Sequence, residues 1–220
     1  PSKLIKVEHF AALPYTKIND FLQLLDKQTG LGAQALNLVI YTASRSNEVL
    51  GMTWDEIDFT HKVWTVPAER MKRGKEHRVP LTAPALAILK DLKHARDKIH
   101  IVGEQSSQYV FPNAKGNAPL SNMVMLALLT RINRRDITVH GFRSSFRDWA
   151  AEQTNFPREV AEAALAHAIQ SRVEAAYRRS DLFNKRRLLM EKWARYCQEA
   201  QVADDNTVVE MKPQVKSKKK

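Results

Sequence analysis

The run from Ala33 to Ala43 constrains this chain more than any other. Ala35, Leu36, Leu38, Val39 and Ile40 leave almost no polar position in it, so the spacing predicts a helix buried on most sides. Its far end delivers Arg45. On either side the pattern is that of ordinary amphipathic helices. Ile18, Phe21, Leu22, Leu24 and Leu25 predict a first helix over about 17–28, with Thr16 as its cap and Gly30 and Gly32 behind it. Leu86, Ile88, Leu89 and Leu92 predict another from Ala83 to about Lys98. Ser121 caps one through Met125, Leu126, Leu129 and Ile132 that ends in Arg131, Arg134 and Arg135. Phe156-Pro157-Arg158-Glu159 starts one at its proline that runs to Leu165. A last helix, from Leu182 to Ala200, sets Leu182, Leu188, Leu189, Trp193 and Ala194 apart from Lys185, Arg186, Arg187 and Arg195.

Between the buried helix and Ala83 the period changes. Trp54–Asp58 and Val63–Pro67 alternate with a period of two and read as strands; a third, His77–Leu81, follows a turn centred on Gly74. The expected class is α+β, mainly α-helical, with a small three-stranded antiparallel sheet. Its last hairpin carries Arg70, Lys72, Arg73, Lys75 and Arg78, opposed within that stretch only by Glu76. Water satisfies most such runs; the sharper reading is a hairpin tip that reaches into a groove of nucleic acid. Residues 103–120 read as loop around Tyr109-Val110-Phe111. Ser44-Arg45-Ser46-Asn47-Glu48 reads first as a short helix capped by Ser46, and second as an arginine aimed into a cleft with Glu48 fixing it.

With 220 residues the chain can bury a genuine core in one domain. Its 35 Lys and Arg against 24 Asp and Glu give a net charge of +11, and its pI is near 9.8. A polyanion is the default partner for such a surface. Cys197, the only cysteine, excludes a disulfide framework and a thiolate zinc site. No apolar stretch is long enough to span a membrane and Pro1–Lys6 lacks a signal-peptide core, so a cytoplasmic, nucleoid-associated protein is expected. The start at Pro1 is that expected of a processed product or a piece of a longer chain. Residues 201–220, ending in Lys216-Ser217-Lys218-Lys219-Lys220, are expected to be a disordered basic tail beyond a domain spanning 1–200.

The chemistry concentrates between Thr138 and Tyr177. If Thr138-Val139-His140-Gly141-Phe142-Arg143 begins a helix, His140 and Arg143 share one side of its first turn, where free N–H groups and the helix dipole already attract anions. Tyr177, followed by Arg178 and Arg179, is an aromatic hydroxyl among cations, and positive charge favours its phenolate. Singly these are weak signals. Their order is not: Arg45 with Glu48, Lys72 on a hairpin, His140 and Arg143, Leu165-Ala166-His167, then Tyr177. The array resembles the catalytic domain of the tyrosine recombinases, the phage-type integrases, and within them those of satellite phages and genomic islands. Trp54-Asp55-Glu56-Ile57-Asp58, Pro67–Lys72, His77–Leu81 and Glu174–Arg179 carry the same likeness. Leu165-Ala166-His167 departs from the Leu-Gly-His of the wider family but suits that subgroup.

The resemblance implies that Tyr177 attacks a DNA phosphodiester to give a 3′-phosphotyrosyl link, without metal or cofactor. Arg45 and Arg143 would hold the phosphate, His140 would take the tyrosine proton, His167 would donate to a phosphate oxygen and Lys72 would protonate the leaving oxygen. Arg70, Arg73, Lys75, Arg78, Arg147 and Arg178 are the expected DNA contacts and Glu48 a supporting residue. It further implies double-stranded attachment-site DNA, a homotetramer on that DNA, DNA-bending accessory proteins and N-terminal DNA-binding regions, which are expected to lie outside these 220 residues. A binding-only descendant of the same fold and a type I topoisomerase of the same chemistry remain alternatives.

Overall fold

The computed structural model describes residues 11–101, 106–167 and 181–199. Eight α-helices lie among them: α1 (Ile18–Asp26), α2 (Leu31–Thr42), α3 (Ser46–Leu50), α4 (Ala83–Ile101), α5 (Met123–Arg131), α6 (Gly141–Gln153), α7 (Arg158–Ala164) and α8 (Phe183–Gln198). The apolar run forms α2, in which Ala33, Ala35, Leu36 and every residue from Leu38 to Thr42 are buried. Helices α1, α4, α5, α6 and α8 all pack against it. Each fully buried Leu, Ile or Val contributes roughly 1.5–3 kcal/mol of transfer free energy, so α2 anchors the core. Its last turn leaves carbonyls without helical partners. Trp193 of α8 satisfies one, donating Nε1–H to Ile40 O at 2.8 Å. The same indole lies against Phe146 and Trp149 of α6, with ring centroids 5.5 and 5.0 Å away.

The sheet is antiparallel in the order β1 (Ile57–Asp58), β2 (Val63–Val66), β3 (His77–Pro80). Trp64 pairs with Val79, and both are buried. The first strand is shorter than its sequence suggests because Trp54–Glu56 forms a 3₁₀ turn. Glu56 turns its carboxylate inward, accepting from Trp64 Nε1 at 2.9 Å and from Arg70, which breaks the alternation. Between β2 and β3 the chain makes a 3₁₀ turn at Ala68–Arg70 and bends at Gly74, whose φ of +59° suits glycine.

Three caps differ from expectation: at α5 the cap position is Asn122, with Ser121 one residue earlier accepting the Met123 N–H at 3.2 Å. Thr16 lies inside a 3₁₀ turn, Tyr15–Lys17, so α1 starts without a side-chain cap. Arg45, not Ser46, occupies the cap position of α3, because the Glu48 carboxylate accepts the Arg45 backbone N–H at 2.9 Å. No described helix is long and apolar enough to cross a membrane. The tail expected over 201–220 lies outside the described residues.

The start of α6 is fixed by residues 11–13. Thr138 N donates to Ala11 O at 3.0 Å, and Ser145 Oγ donates to Leu13 O. A Cβ on Gly141 would sit 2.8 Å from Ala12 Cα and closer still to the Ala11 carbonyl oxygen. Alanine gains up to ~1 kcal/mol of helix propensity over glycine, but backbone that must shift costs ~1–3 kcal/mol. Gly141→Ala should therefore destabilise the chain by up to about 3 kcal/mol, seen as a lower urea midpoint with an unchanged slope. An equal or higher midpoint would refute the contact.

Candidate active site

The site begins where α2 ends. Ala43 adopts a left-handed conformation, φ +51°, at a cost of about 1 kcal/mol for a non-glycine residue. The reversal leads through buried Ser44 to Arg45. Glu48 holds Arg45, accepting from its Nη1 at 2.6 Å as well as from its backbone N–H. The side chains are 27% and 5% exposed, so the guanidinium reaches solvent while the carboxylate stays beneath it.

Arg143, in the first turn of α6, is 4% exposed. Its Nη1 donates to Ala43 O at 2.5 Å and its Nη2 to Leu165 O at 2.7 Å; Nη2 also lies 3.1 Å from His167 Nε2. One planar group thus ties the end of α2 to the end of α7. Burial, with Arg45 nearby, lowers its pKa to about 10, and it remains a cation at neutral pH. Its Nε has no hydrogen-bond partner among the described residues.

His167 follows α7 through Ala166, which is left-handed at φ +49°. His167 N donates to Glu162 O at 2.9 Å and Ala166 N to Ala163 O at 3.1 Å, the pattern that closes a helix around a left-handed residue. The imidazole is thereby brought back over its own helix, with Nδ1 2.7 Å from Glu162 Oε2. Glu162 Oε1 stands 2.9 Å from Arg147 Nε and 3.5 Å from Arg158 Nε, in ion-pair contact without hydrogen-bond alignment. Desolvation holds the His167 pKa below its ordinary value, opposed by Glu162 and assisted by Arg143. His140 stands at the start of α6; desolvation, then the charges of Arg143, Arg45 and His167, lower its pKa too. Both rings therefore favour the neutral form.

Lys72 and Arg73, from the β2–β3 connection, complete the wall. With Arg45, Arg147, Arg158, Glu162, Ala166 and His167 they line a cleft of about 360 Å³, five cations against one carboxylate. An anion is the chemically matched occupant, and arginines beside an imidazole suit a phosphate that gains charge during reaction.

The expected residues are thus distributed unevenly. Arg45, Lys72, Arg73, Arg147 and His167 line the cleft, with Arg143 directly against His167 and His140 within electrostatic range. Lys75 is exposed at the hairpin turn. Arg70 is turned inward onto Glu56 and the Glu48 carbonyl. Arg78 is paired with Asp181 at 2.7 Å and covers the Phe183 ring. Tyr177 and Arg178 lie outside the described residues; the chain leaves these at His167 and returns at Asp181, which is also bonded to the buried Arg186 at 2.9 Å. Glu162 and His77 are not marked as site residues by any motif in the sequence. Glu162 sits on a face with no periodic signal, and only its place five residues before His167 could have marked it. His77, on β3, is held down to about 4 by burial and by the Arg186 charge.

This arrangement of a helical bundle, a three-stranded sheet and a cationic cleft is the catalytic-domain fold of the tyrosine recombinases. An integrase from mycobacterium phage Brujita matches it with a TM-score of 0.60 at 16% identity, over 93% of this chain and 63% of that one. A lambda integrase fragment bound to a core site matches with a TM-score of 0.52 at 18% identity, over 78% and 59%. The phage integrase family model matches residues 13–182, and the chain belongs to that family. Among its relatives, prophage integrase IntA of Escherichia coli K12 is 38% identical over 70% of this chain and 36% of that protein. The integrase of Enterobacteria phage P4 is 29% identical over 87% and 46%. The chain therefore spans less than half the length of these two curated relatives.

Proposed function

We propose that this chain is the catalytic portion of a site-specific DNA integrase, which cleaves and rejoins double-stranded DNA through a 3′-phosphotyrosyl intermediate to integrate and excise a mobile element. The observation that carries the reading is a cationic cleft lined by Arg45, Lys72 and His167, with Arg143 held against His167, in a member of the phage integrase family. Arg45 and Arg143 neutralise the non-bridging oxygens, which carry more charge in the transition state than in the diester. The unpartnered Arg143 Nε supports this role, since a buried donor left without an acceptor costs about 1–3 kcal/mol unless a ligand supplies one. His140, neutral near pH 7, accepts the Tyr177 proton. Lys72 protonates the departing 5′-oxygen. The tyrosyl ester conserves the energy of the broken bond, so a second strand's hydroxyl can reverse the step without a nucleotide triphosphate.

Four protomers act on two duplexes in this reading, with bending proteins supplied in trans and further DNA contacts made by Arg73, Lys75, Arg147 and Arg178. The test uses Tyr177→Phe and a nicked attachment-site duplex taken from the boundary of the source element. The parent should form a denaturation-resistant protein–DNA adduct and the variant none. An adduct that survives in the variant would remove Tyr177 from the reaction.

A further inference from the structure

We propose that Glu162 is a positioning residue for His167, fixing the imidazole as its Nδ1-protonated tautomer in the free protein and holding it as an imidazolium once a phosphodiester enters the cleft. The inference rests on the reading of the cleft as a phosphodiester site. Glu162 Oε2, 2.7 Å from Nδ1, is a carboxylate oxygen and can only accept, so Nδ1 carries the hydrogen. Arg143 Nη2, 3.1 Å from Nε2, can only donate, so Nε2 presents its lone pair. His167 in this state has nothing to give an incoming oxygen. The role expected of it, donation to a phosphate, requires a second proton.

A bound diester provides the reason to take one up. Its oxygens compete for the Arg143 N–H groups, and the freed Nε2 accepts one proton from solvent. The imidazolium then donates Nε2–H to the diester and Nδ1–H to Glu162, with no other bond altered. The charges that bear on the ring are mixed. Arg143 from α6 and Arg45 before α3 oppose a second proton, and Glu162 from α7 favours it. Glu162 is itself shared with Arg147 of α6 and Arg158 of α7. Lys72 and Arg73 line the same cleft, and His140 lies within electrostatic range. Without DNA the cations and desolvation prevail and the ring is neutral. A diester's negative charge removes part of that opposition, and Glu162 is the remaining group that favours the imidazolium.

The sign follows. If the imidazolium is the working form, cleavage is lost as pH rises through the pKa of His167 in the complex. Replacing the Glu162 carboxylate lowers that pKa and moves this limb of the profile to lower pH. The experiment uses the ¹⁵N-labelled chain and a short random-sequence duplex at low salt, reading the His167 ring nitrogens by NMR, with adduct formation on nicked attachment-site DNA followed across pH. The free protein should show protonated Nδ1 and bare Nε2, and the complex should show both protonated near neutral pH. In Glu162→Gln the amide oxygen still accepts from Nδ1, so the free tautomer persists. Proton uptake near neutral pH is lost, and the limb moves down by about 1–2 pH units, with activity recovered there. An Nε2-protonated ring in the free protein would overturn the proposal, as would a loss of rate that is uniform across pH. A Tyr177-dependent adduct with an unshifted limb would sink this inference alone. No Tyr177-dependent adduct on attachment-site DNA would sink the proposed function, while the free tautomer would still decide how Glu162 orients the ring.

Discussion

Arg143→Lys should reduce DNA cleavage by 10²–10³-fold although it preserves the charge. The guanidinium reaches three acceptors from three parts of the fold: Ala43 O, Leu165 O and His167 Nε2. An ammonium on a flexible stem is a point charge and cannot hold that fork while also facing a phosphate. Losing one aligned donor to a developing oxyanion costs about 3–4 kcal/mol in the barrier, which is the expected rate effect. Stability should fall as well, because a buried carbonyl left unpaired costs about 1–3 kcal/mol. Arg143→Ala should be worse on both counts: two orphaned carbonyls and a cavity together cost roughly 3–5 kcal/mol. Urea unfolding and adduct formation, measured on the same preparations, separate the two effects. Lysine cleaving within threefold of arginine would mean that the fork does not act on the phosphate.

Much of the frame was legible because the local signals agreed with the packing. The largely apolar run read as a central helix, and α2 is one. The small sheet was legible from its period of two, except where Glu56 turns inward for reasons that lie in Trp64 and Arg70, eight and fourteen residues away. Family likeness named Arg45, Lys72, Arg143 and His167 together as expected site residues, but nothing in it gave their geometry. Nothing in Thr42-Ala43-Ser44 announces that Ala43 is left-handed and offers its carbonyl to a guanidinium a hundred residues on. Leu165-Ala166-His167 is the opposite case. Its middle residue stands in the left-handed position of a helix stop at φ +49°, where glycine is preferred, so the Leu-Gly-His of the wider family has a conformational reason. Alanine keeps the turn at some cost in strain. Cation runs were least informative. Arg70 and Arg78 look alike in sequence to Arg73, yet those two meet acids while Arg73 faces the cleft.

Arg70 gives the sharpest separation between a residue that touches DNA and one that holds the site together. Its Nη1 donates to Glu56 Oε1 and its Nη2 to the Glu48 carbonyl. A Cβ added at Gly51 would lie 3.0 Å from that Nη2, so the guanidinium sits directly against the end of α3. Through α3 it braces Glu48, whose carboxylate fixes Arg45, and Lys72 follows two residues later in the chain. Arg70→Ala leaves the Glu56 side chain, 8% exposed, without its counter-charge. Breaking a buried pair costs about 3–5 kcal/mol. Arg70 itself is 23% exposed, and water reaching the gap reduces the expected loss to about 2–3 kcal/mol. Glu56→Gln keeps an acceptor for Trp64 and for the Thr53 N–H while removing the charge, so the double variant should be little worse than Arg70→Ala alone. That non-additivity, about 1–2 kcal/mol in a double-mutant cycle, is the signature of a direct pair. A DNA-contacting Arg70 predicts the reverse: unchanged urea stability, and a salt dependence of DNA affinity weakened by about one counterion. If the variant unfolds at the parent's urea concentration while its salt slope falls, the brace is wrong and Arg70 belongs to the DNA surface after all.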